Sequence, residues 1–444
     1  MLANKAHFYF VFFVLYTYSS MIDIRLLREN PEEVKKKLKK NHVDGTTIDA
    51  IVSLDKEKRA LQQEVESLKS KQNAASKQMP KLPEDQKTKL LAEMQYVKEQ
   101  LQTLTPKVEK LEEQIRNLVL LLPNIPHDSV PEGEGEEDNI VERTHGKKPS
   151  FDFPILDHAT LGKKLDIIDI DSAGRSSGSR FAYLKNDAAL LQFALINYVL
   201  AKVAQKGFSP VIPPVLVKEE AMYATGFFPA DRNEIYHVNP EDDDLYLVGT
   251  SEVSISMLHA GEILNEQDLP KRYVGYSTCF RREAGTYGKD THGLIRVHQF
   301  DKLELFSFCH PEKSIDEHEL ILGIEEEIMQ ELGLHYQVIN MCGGELRHSP
   351  ASKKYDVEVW IPSQKRFREL TSCSNCTDYQ ARRGLIRFAD EKGEKHFVHT
   401  LNGTAVAIGR MLVALLENYQ TAEGTIEIPQ VLQSYMGKKV IAGH

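Results

Sequence analysis

Hydrophobic side chains recur at steps of three, four or seven residues through two segments in the first third of the chain. The first segment carries Ile48, Ile51, Leu54, Leu61, Val65 and Leu68, and the second carries Leu90, Met94, Val97, Leu101, Leu104, Val108, Leu111, Ile115 and Leu118. This spacing is typical of helices that pack along one seam. Between the segments, residues 74–83 contain two prolines, which interrupt a helix and permit reversal. The pattern predicts an antiparallel hairpin whose helices, at about 30 residues each, would extend for about 45 Å.

The tip of this predicted hairpin is basic. Its lysines are Lys69, Lys71, Lys77, Lys81, Lys87 and Lys89, and they outnumber the nearby acids Glu84 and Asp85. Such an excess suits contact with nucleic-acid phosphates, although a solvated helix face can have the same composition. The formal net charge of the chain is -10, which argues against a protein that coats nucleic acid indiscriminately. From this region alone, the hairpin is either a local nucleic-acid-binding arm or a coiled coil that serves only dimerisation.

Beyond the hairpin the pattern changes to short β-type runs mixed with helices. An acidic, glycine-bearing linker follows at 131–138, and we place the domain boundary between residues 21–125 and 126–444. Helices are predicted at 187–206, 317–332 and 405–419, and strand-like runs lie near Tyr246, Tyr273, Arg296, Val338 and Val357. The connections between these runs lack regular βαβ spacing. We therefore expect an α+β domain, with an antiparallel sheet flanked by helices.

The first 20 residues differ from the rest of the chain. One lysine precedes an aromatic and aliphatic run at 8–16, which is too short to span a bilayer. Because Met21 opens a stretch typical of a soluble domain, we interpret residues 1–20 as a leader or an upstream start, in preference to a membrane anchor. The five cysteines are an odd number spread thinly over the chain, which favours a reducing compartment. We expect a cytoplasmic protein without a membrane partner.

Charged and aromatic residues are concentrated at 279–306, in two strand-like runs joined by a glycine-bearing loop. No glycine-rich phosphate loop of the common types occurs, so a nucleotide would have to be held by side chains. Alternate strand residues share a face, which predicts that Arg281 points with Glu283. The second run would present Arg296, His298, Phe300, Lys302 and Glu304 together. Arginine matches phosphate or carboxylate oxygens and a carboxylate can receive an amine, so the group suits an amino acid beside ATP. A solvated outer sheet face would show the same alternation.

Several segments together resemble one family. Residues 279–306 resemble motif two of the class II aminoacyl-tRNA synthetases. Within them, the sequence CFRREAG followed by GLIRVHQF is similar to that of the seryl-tRNA synthetase family of bacterial type. Three further segments resemble the same family: GTSEV at 249–253, FRELTSCSNCTDYQARR at 367–383 and LNGTAVAIGRMLVALLENYQ at 401–420, the last as motif three. The run GFSPVIPP at 207–214 resembles motif one. The resemblance extends over 21–444, including the hairpin.

This resemblance implies an enzyme that activates serine with ATP to seryl-adenylate and pyrophosphate. It then transfers serine to the 3' end of tRNA(Ser), and we also expect tRNA(Sec) to be accepted. The implied catalytic domain has the class II fold, and Mg²⁺ would accompany ATP. The helical hairpin would bind the tRNA, and the protein would be a homodimer that joins through motif one. A related enzyme that loads a carrier protein would lack the hairpin, and a catalytically dead relative would lack the charged residues.

The resemblance also implies roles for individual residues. Those expected to bind serine are Thr250, Ser251, Glu252, Arg296, Glu304 and Thr404. Those expected to bind ATP are Arg281, Arg282, Glu283, Phe300, Glu369, Leu370, Thr371, Ser372 and Arg410. Arg281, Glu369 and Arg410 would be catalytic, with Glu369 also a ligand of magnesium. The chain has Asn402-Gly403-Thr404-Ala405 where the family has N-G-S-G, so two positions carry an extra methyl group near the serine pocket.

Overall fold

The computed structural model of the protein describes residues 22–284 and 293–443. The predicted leader and the glycine-bearing loop of the 279–306 segment lie outside the described residues. The chain divides into two compact units, one ending at Ile125 and the other continuing from Pro126.

The first unit is entirely helical. Its helices are α1 Ile24–Glu29, α2 Pro31–Leu38, α3 Gly45–Gln78 and α4 Glu84–Leu120, with 3-10 turns at Lys39–Asn41 and Met79–Lys81. The carboxylate of Asp44 begins α3 by accepting the Thr46 amide at 2.9 Å. The reversal starts at Met79, later than residue 74, because α3 continues to Gln78 and includes the buried Ala75.

The two long helices form the predicted antiparallel hairpin. Val65 of α3 packs with Leu104 and Val108 of α4. Farther from the tip, the Lys58 ammonium lies 2.9 Å from the Glu112 carboxylate. Contacts between early residues of one helix and late residues of the other require opposite chain directions, which confirms the prediction.

The second unit contains all eighteen strands of the described residues. In chain order β1 to β18 are Ile140–His145, Ile168–Asp169, Tyr183–Leu184, Ser209–Val211, Leu216–Lys218, His237–Val238, Leu245–Leu247, Ile263–Asn265, Lys271–Phe280, Gln299–Cys309, Tyr336–Asn340, Lys353–Ile361, Arg366–Asn375, Arg387–Ala389, Lys395–Phe397, His399–Ala407, Ile426–Glu427 and Val440–Ile441. Its helices α5 to α13 are His158–Lys164, Ile170–Ser177, Asn186–Gln205, Glu219–Thr225, Glu252–Ser256, Ser314–Glu331, Tyr379–Gly384, Ile408–Asn418 and Gln430–Met436.

An eight-stranded sheet organises this unit. Its spatial order is β1-β11-β12-β13-β16-β10-β9-β4, and every neighbouring pair is antiparallel except β4 with β9. The main core packs residues of the sheet against α7, α10 and α12, for example Leu195, Ile321 and Leu412. The expected α+β class, with an antiparallel sheet flanked by helices, is confirmed.

Helix α7 is long and apolar enough to cross a membrane by length and composition, and half of its most apolar window is buried. Its inward side chains, including Leu191, Leu195 and Val199, belong to the main core. We interpret α7 as a core helix, because a buried helix of a globular domain has the same composition.

Two strand predictions were too long. The ladder between β9 and β10 runs from Lys271 and Phe308 to Phe280 and Gln299, so Arg281 and Arg296 lie beyond it. After one more bond, from the Arg281 amide to the His298 carbonyl at 3.0 Å, the backbone turns at Glu283 with φ +50°. The helix predicted from 405 begins at Ile408, because the preceding residues extend β16 along β10.

Candidate active site

A cavity of about 250 Å³ opens beside the central strands of the large sheet. Its lining residues come from β10, β13 and β16, from the start of α12, and from the segments that leave β9 and enter β10. Twelve of the predicted site residues line it: Thr250, Glu252, Arg281, Glu283, Arg296, Phe300, Glu304, Glu369, Leu370, Ser372, Thr404 and Arg410. The structure therefore gathers side chains that are up to 160 positions apart, from Thr250 to Arg410.

Three predicted residues do not line this cavity. The Thr371 hydroxyl donates to Glu325 at 2.7 Å, on the helix-covered side of the sheet, because alternate strand residues point to opposite faces. Ser251 is completely buried and donates to the Gly275 carbonyl at 3.4 Å. The Arg282 side chain is exposed. The expected contacts of these three residues with ATP or serine stay predictions, without support from the lining of this cavity.

One end of the cavity is acidic and deeply buried. Glu304 is 2% exposed, and its Oε2 lies 2.5 Å from the Lys302 ammonium and 3.2 Å from the Thr404 hydroxyl, which donates to it. Glu304 and Thr404 are cross-strand partners of β10 and β16. Lys302, which precedes Glu304 by two positions, shares its strand face and also lines the cavity. A carboxylate held this way can receive a substrate ammonium group.

Glu252 lies at the same end, at the start of α9. Its Oε1 accepts from the side-chain amides of Gln380 at 2.7 Å and Asn402 at 2.9 Å. The Thr250 hydroxyl accepts the Glu252 backbone amide at 3.3 Å. Burial and the neighbouring Glu304 raise the pKa of Glu252 to about 7. Its ionisation is therefore within the physiological range.

Another part of the cavity lining carries fixed positive charge. The Arg410 guanidinium donates to the Glu369 carbonyl at 2.9 Å and lies 3.1 Å from the Glu369 carboxylate. Burial would raise the pKa of Glu369, but Arg410, Lys354 and Arg281 lower it to about 2, so this carboxylate stays ionised. An ion pair of this kind, beside an open cavity, suits the binding of a polyphosphate together with its metal counter-ion.

Arg281 and Phe300 line the same cavity and lie against each other. The Arg281 guanidinium carbon lies 5.3 Å from the centre of the Phe300 ring, and its Nε donates to the Gly249 carbonyl at 3.3 Å. A planar base can stack on an aromatic ring of this kind. Nearby, Arg296 pairs with Glu283 at 2.5 Å. A residue expected to bind serine thus contacts a residue expected to bind ATP.

The geometry can be set beside known proteins. The family profile of the seryl-tRNA synthetase N-terminal domain matches residues 21–126, and that of the class II tRNA synthetase core domain (G, H, P, S and T) matches 236–419. The serine–tRNA ligase of Thermodesulfovibrio yellowstonii is 45% identical over 430 residues, which cover 95% of this chain and 100% of that protein. The chain belongs to the seryl-tRNA synthetase family. The serine–tRNA ligase of Kosmotoga olearia is also 45% identical, over 95% of this chain and all of that protein.

Solved members of the seryl-tRNA synthetase family have the same fold. The seryl-tRNA synthetase of Pyrococcus horikoshii, solved with ATP, has a TM-score of 0.89 and 41% identity and covers 95% of this chain and 100% of its own. The cytoplasmic serine–tRNA ligase of Naegleria fowleri, solved with AMP, has a TM-score of 0.85 and 34% identity, covering 95% and 99%. This seryl-tRNA synthetase family member is thus a class II ligase that joins serine to tRNA, and ATP is its nucleotide substrate.

Sequence reasoning left several residues of this seryl-tRNA synthetase site without a role. Alternation along the strand predicts that Lys302 shares a face with Glu304, but it assigns Lys302 no role, and the residue lines the cavity. Lys354 and Asn402, which have no predicted role, line it as well. The alternation along β10 was a usable signal for Lys302. Gln380 carried no usable signal, because it reaches Glu252 from a helix that does not line the cavity.

Proposed function

We propose that the serine–tRNA ligase activity resides in this cavity, with serine at the acidic end and ATP at the cationic end. The observation that carries this assignment is that one cavity is lined both by the buried carboxylates Glu252 and Glu304 and by the ion pair of Arg410 with Glu369. Arg281 and Phe300 lie in the same cavity wall, which suits a site where the two ligands meet. A solvated sheet face would not enclose these groups.

At the acidic end, the serine α-ammonium group would lie between Glu252 and Glu304. Two carboxylates favour a cation and disfavour a neutral amide or ester ligand. The Thr404 hydroxyl, which donates to Glu304, borders the space expected for the serine side chain. A site that hydrogen-bonds a substrate hydroxyl can reject the analogue lacking it by about 10⁴ to 10⁵, which would exclude alanine.

At the cationic end, the chain needs no covalent nucleophile, because a serine carboxylate oxygen attacks the α-phosphorus of ATP and pyrophosphate leaves. Arg281 would neutralise charge at the α-phosphate, and Arg410 would hold the terminal phosphates. Phe300 would stack on the adenine ring, and Glu283 would accept its amino group. In the second step, the terminal hydroxyl of tRNA attacks the carbonyl carbon of the adenylate, and AMP leaves.

Mg²⁺ fits the oxygen donors at this end. Glu369 is ionised and lines the cavity, and Ser372, three residues later along β13, lines it too. Magnesium prefers one or two carboxylates together with substrate phosphates. Glu369 would hold the ion, which would neutralise phosphate charge when bound.

The helical hairpin is proposed as the binding arm for tRNA(Ser). Lys69, Lys71, Lys77, Lys81 and Lys89 are exposed around its tip, where phosphate contacts are possible without any change of fold. The hairpin also has its own apolar seam, so it does not need a second chain to bury it. The use of tRNA(Sec) stays a prediction, as does the assignment of the two units as the tRNA-binding and catalytic domains.

We further propose a homodimer in the cytoplasm. Leu190 and Phe193 on α7 and Ile212 just after β4 are exposed, the last at 85%. Ile212 lies within the segment that resembles motif one, α7 directly precedes that segment in the chain, and β4 is the edge strand of the large sheet. A symmetric contact between two copies would cover this apolar edge. All five cysteines are free and buried, which suits a reducing compartment.

The decisive experiment is ATP–pyrophosphate exchange with each of the twenty amino acids, followed by charging of total tRNA with radiolabelled serine. We expect exchange with serine alone and charging of a serine-accepting fraction. The matched control is Arg410→Lys, which keeps a positive charge but loses the planar fork that contacts Glu369, and it should lose exchange without loss of the fold. Exchange with another amino acid, or unchanged exchange in the variant, would refute the assignment of the cavity.

A further inference from the structure

Gln380 connects the serine end of the cavity to the protein interior. It lies in the short helix α11 and is 2% exposed. Its side-chain nitrogen donates to Glu252 Oε1 at 2.7 Å and to the Thr225 carbonyl at 3.3 Å, and its side-chain oxygen accepts from the Thr400 hydroxyl at 2.8 Å. These partners belong to α8, α9 and β16, so one amide joins three elements.

These contacts fix which way the Gln380 amide faces. The reversed orientation would place the amide oxygen against the Glu252 carboxylate and a second acceptor, the Thr225 carbonyl. Two acceptors facing one another cannot form a hydrogen bond. The observed orientation satisfies both groups, and the completely buried Thr400 hydroxyl donates from the other side.

The same contacts fix the Glu252 carboxylate. Gln380 and Asn402 both donate to Oε1, so the plane of the carboxylate is held from two directions and Oε2 is the oxygen left for a ligand. Burial and the neighbouring Glu304 raise the pKa of Glu252 and so disfavour its ionised form. The Gln380 hydrogen bond, Lys302 and Lys354 lower this pKa. The buried Cys376 thiol, whose own pKa is raised by burial, is a further titratable neighbour. Gln380 therefore acts on both the orientation and the ionisation of Glu252.

We propose that Gln380 is a positioning residue that sets the affinity for serine, because it fixes Oε1 of Glu252 and so turns the carboxylate for Oε2 to receive the α-ammonium group. The inference rests on the proposed role of Glu252 as a serine ligand. Gln380 itself would not touch serine, ATP or tRNA, since it does not line the cavity.

The first test replaces Gln380 with methionine, which has nearly the same length and no donor. Removing a hydrogen bond to a buried charged group should raise the serine KM in pyrophosphate exchange by about 10- to 100-fold and leave the ATP KM within about twofold. A parallel variant, Thr400→Val, keeps Gln380 but removes the hydroxyl that orients its amide. It should raise the serine KM in the same direction by a smaller factor.

The second readout is the pH profile, which a residue needed only for folding would not move. Because the Gln380 hydrogen bond favours the ionised form, its loss raises the pKa of Glu252 above about 7. The acidic limb of the kcat/KM profile for serine should therefore shift to higher pH in Gln380→Met. It should shift further in Gln380→Glu, which places a second carboxylate against the first.

The matched control is Gln420→Met, because Gln420 is another buried glutamine that bonds to the backbone of Leu156, away from the cavity. It should lower the Tm but leave the serine KM and the pH profile unchanged. Equal changes in the serine and ATP KM, or an unmoved acidic limb in folded Gln380 or Thr400 variants, would overturn the inference. Absence of serine-dependent exchange in the unmodified enzyme would instead refute the proposed function. If Gln380→Met does not fold, Thr400→Val and Gln380→Glu decide.

Discussion

Replacing Glu304 with glutamine removes one negative charge from the serine end of the cavity and keeps the side-chain shape. Glu304 Oε2 lies 2.5 Å from the buried Lys302 ammonium. Removing one partner of a buried ion pair costs about 3–5 kcal/mol of stability, because the other charge remains buried. Because glutamine still offers an acceptor oxygen to Lys302, we expect the loss of stability to be near the lower limit, about 3 kcal/mol, which lowers the Tm by roughly 6 °C.

The same substitution also removes a charge proposed to bind the serine ammonium group. A hydrogen bond to a charged partner is worth about 1.5–3 kcal/mol, so the serine KM should rise by about 10- to 100-fold. The ATP KM should change much less, because Arg410, which is proposed to hold the phosphates, pairs with Glu369 and not with Glu304. Pyrophosphate exchange with varied serine and then varied ATP separates the two effects.

The double variant Lys302→Met with Glu304→Gln distinguishes stability from binding. Methionine removes the unpaired ammonium, so the thermal unfolding midpoint should return toward that of the unmodified protein, whereas the serine KM should stay high. If the double variant recovered its affinity for serine, Glu304 would act only as the partner of Lys302. The proposal that it binds the substrate would then be wrong.

Three further predictions concern the hairpin, pH and magnesium. Replacing residues 69–100 with a short glycine–serine turn keeps the pairing of Lys58 with Glu112 and the packing of Val65. Pyrophosphate exchange should persist, while serine charging of tRNA should fall at least about 100-fold. Retained charging would leave the hairpin with only a structural role. Raising the pH from 6 to 8 should lower the serine KM, because burial and Glu304 raise the pKa of Glu252 to about 7 and only the ionised carboxylate attracts an ammonium group. A serine KM independent of pH would contradict the assignment. Because the pKa is raised on folding, the contribution of Glu252 to stability should fall as the pH rises from the ordinary pKa of a glutamate to about 7. Glu369→Gln should raise the Mg²⁺ concentration needed for half-maximal exchange by about tenfold, as measured by magnesium titration at fixed ATP, and an unchanged requirement would remove Glu369 as the ligand.

Much of the candidate site could be predicted, because strand periodicity and contiguous sequence motifs are properties of short stretches of the sequence. Phe300, Lys302 and Glu304 alternate along β10, and their shared face follows from the pleat. The predicted strands were too long where the ladder ends: Arg281 and Arg296 lie past it, and one further bond from the Arg281 amide to the His298 carbonyl precedes the turn of the backbone. Thr371 does follow the alternation, which points its hydroxyl to Glu325 on the helix-covered face.

Glycine at 403 illustrates a constraint that no periodicity reveals. A side chain there would collide with Ile321 and Glu325 of α10, which pack against this part of β16. The sequence shows the glycine, but only the packed helix shows why no larger residue would fit there.

The sequence by itself determined the helical hairpin, the α+β class and the identity of most cavity residues, because each depends on periodic patterns or on contiguous motifs. Tertiary structure decided which carboxylates are paired, how their ionisation is tuned and which residues hold them in place. Glu252 depends on Gln380, 128 positions away, and on Asn402, 150 positions away. Hydrogen bonds over such separations arise only when the sheet and helices are packed, and burial in that packed state gives each charge its strength.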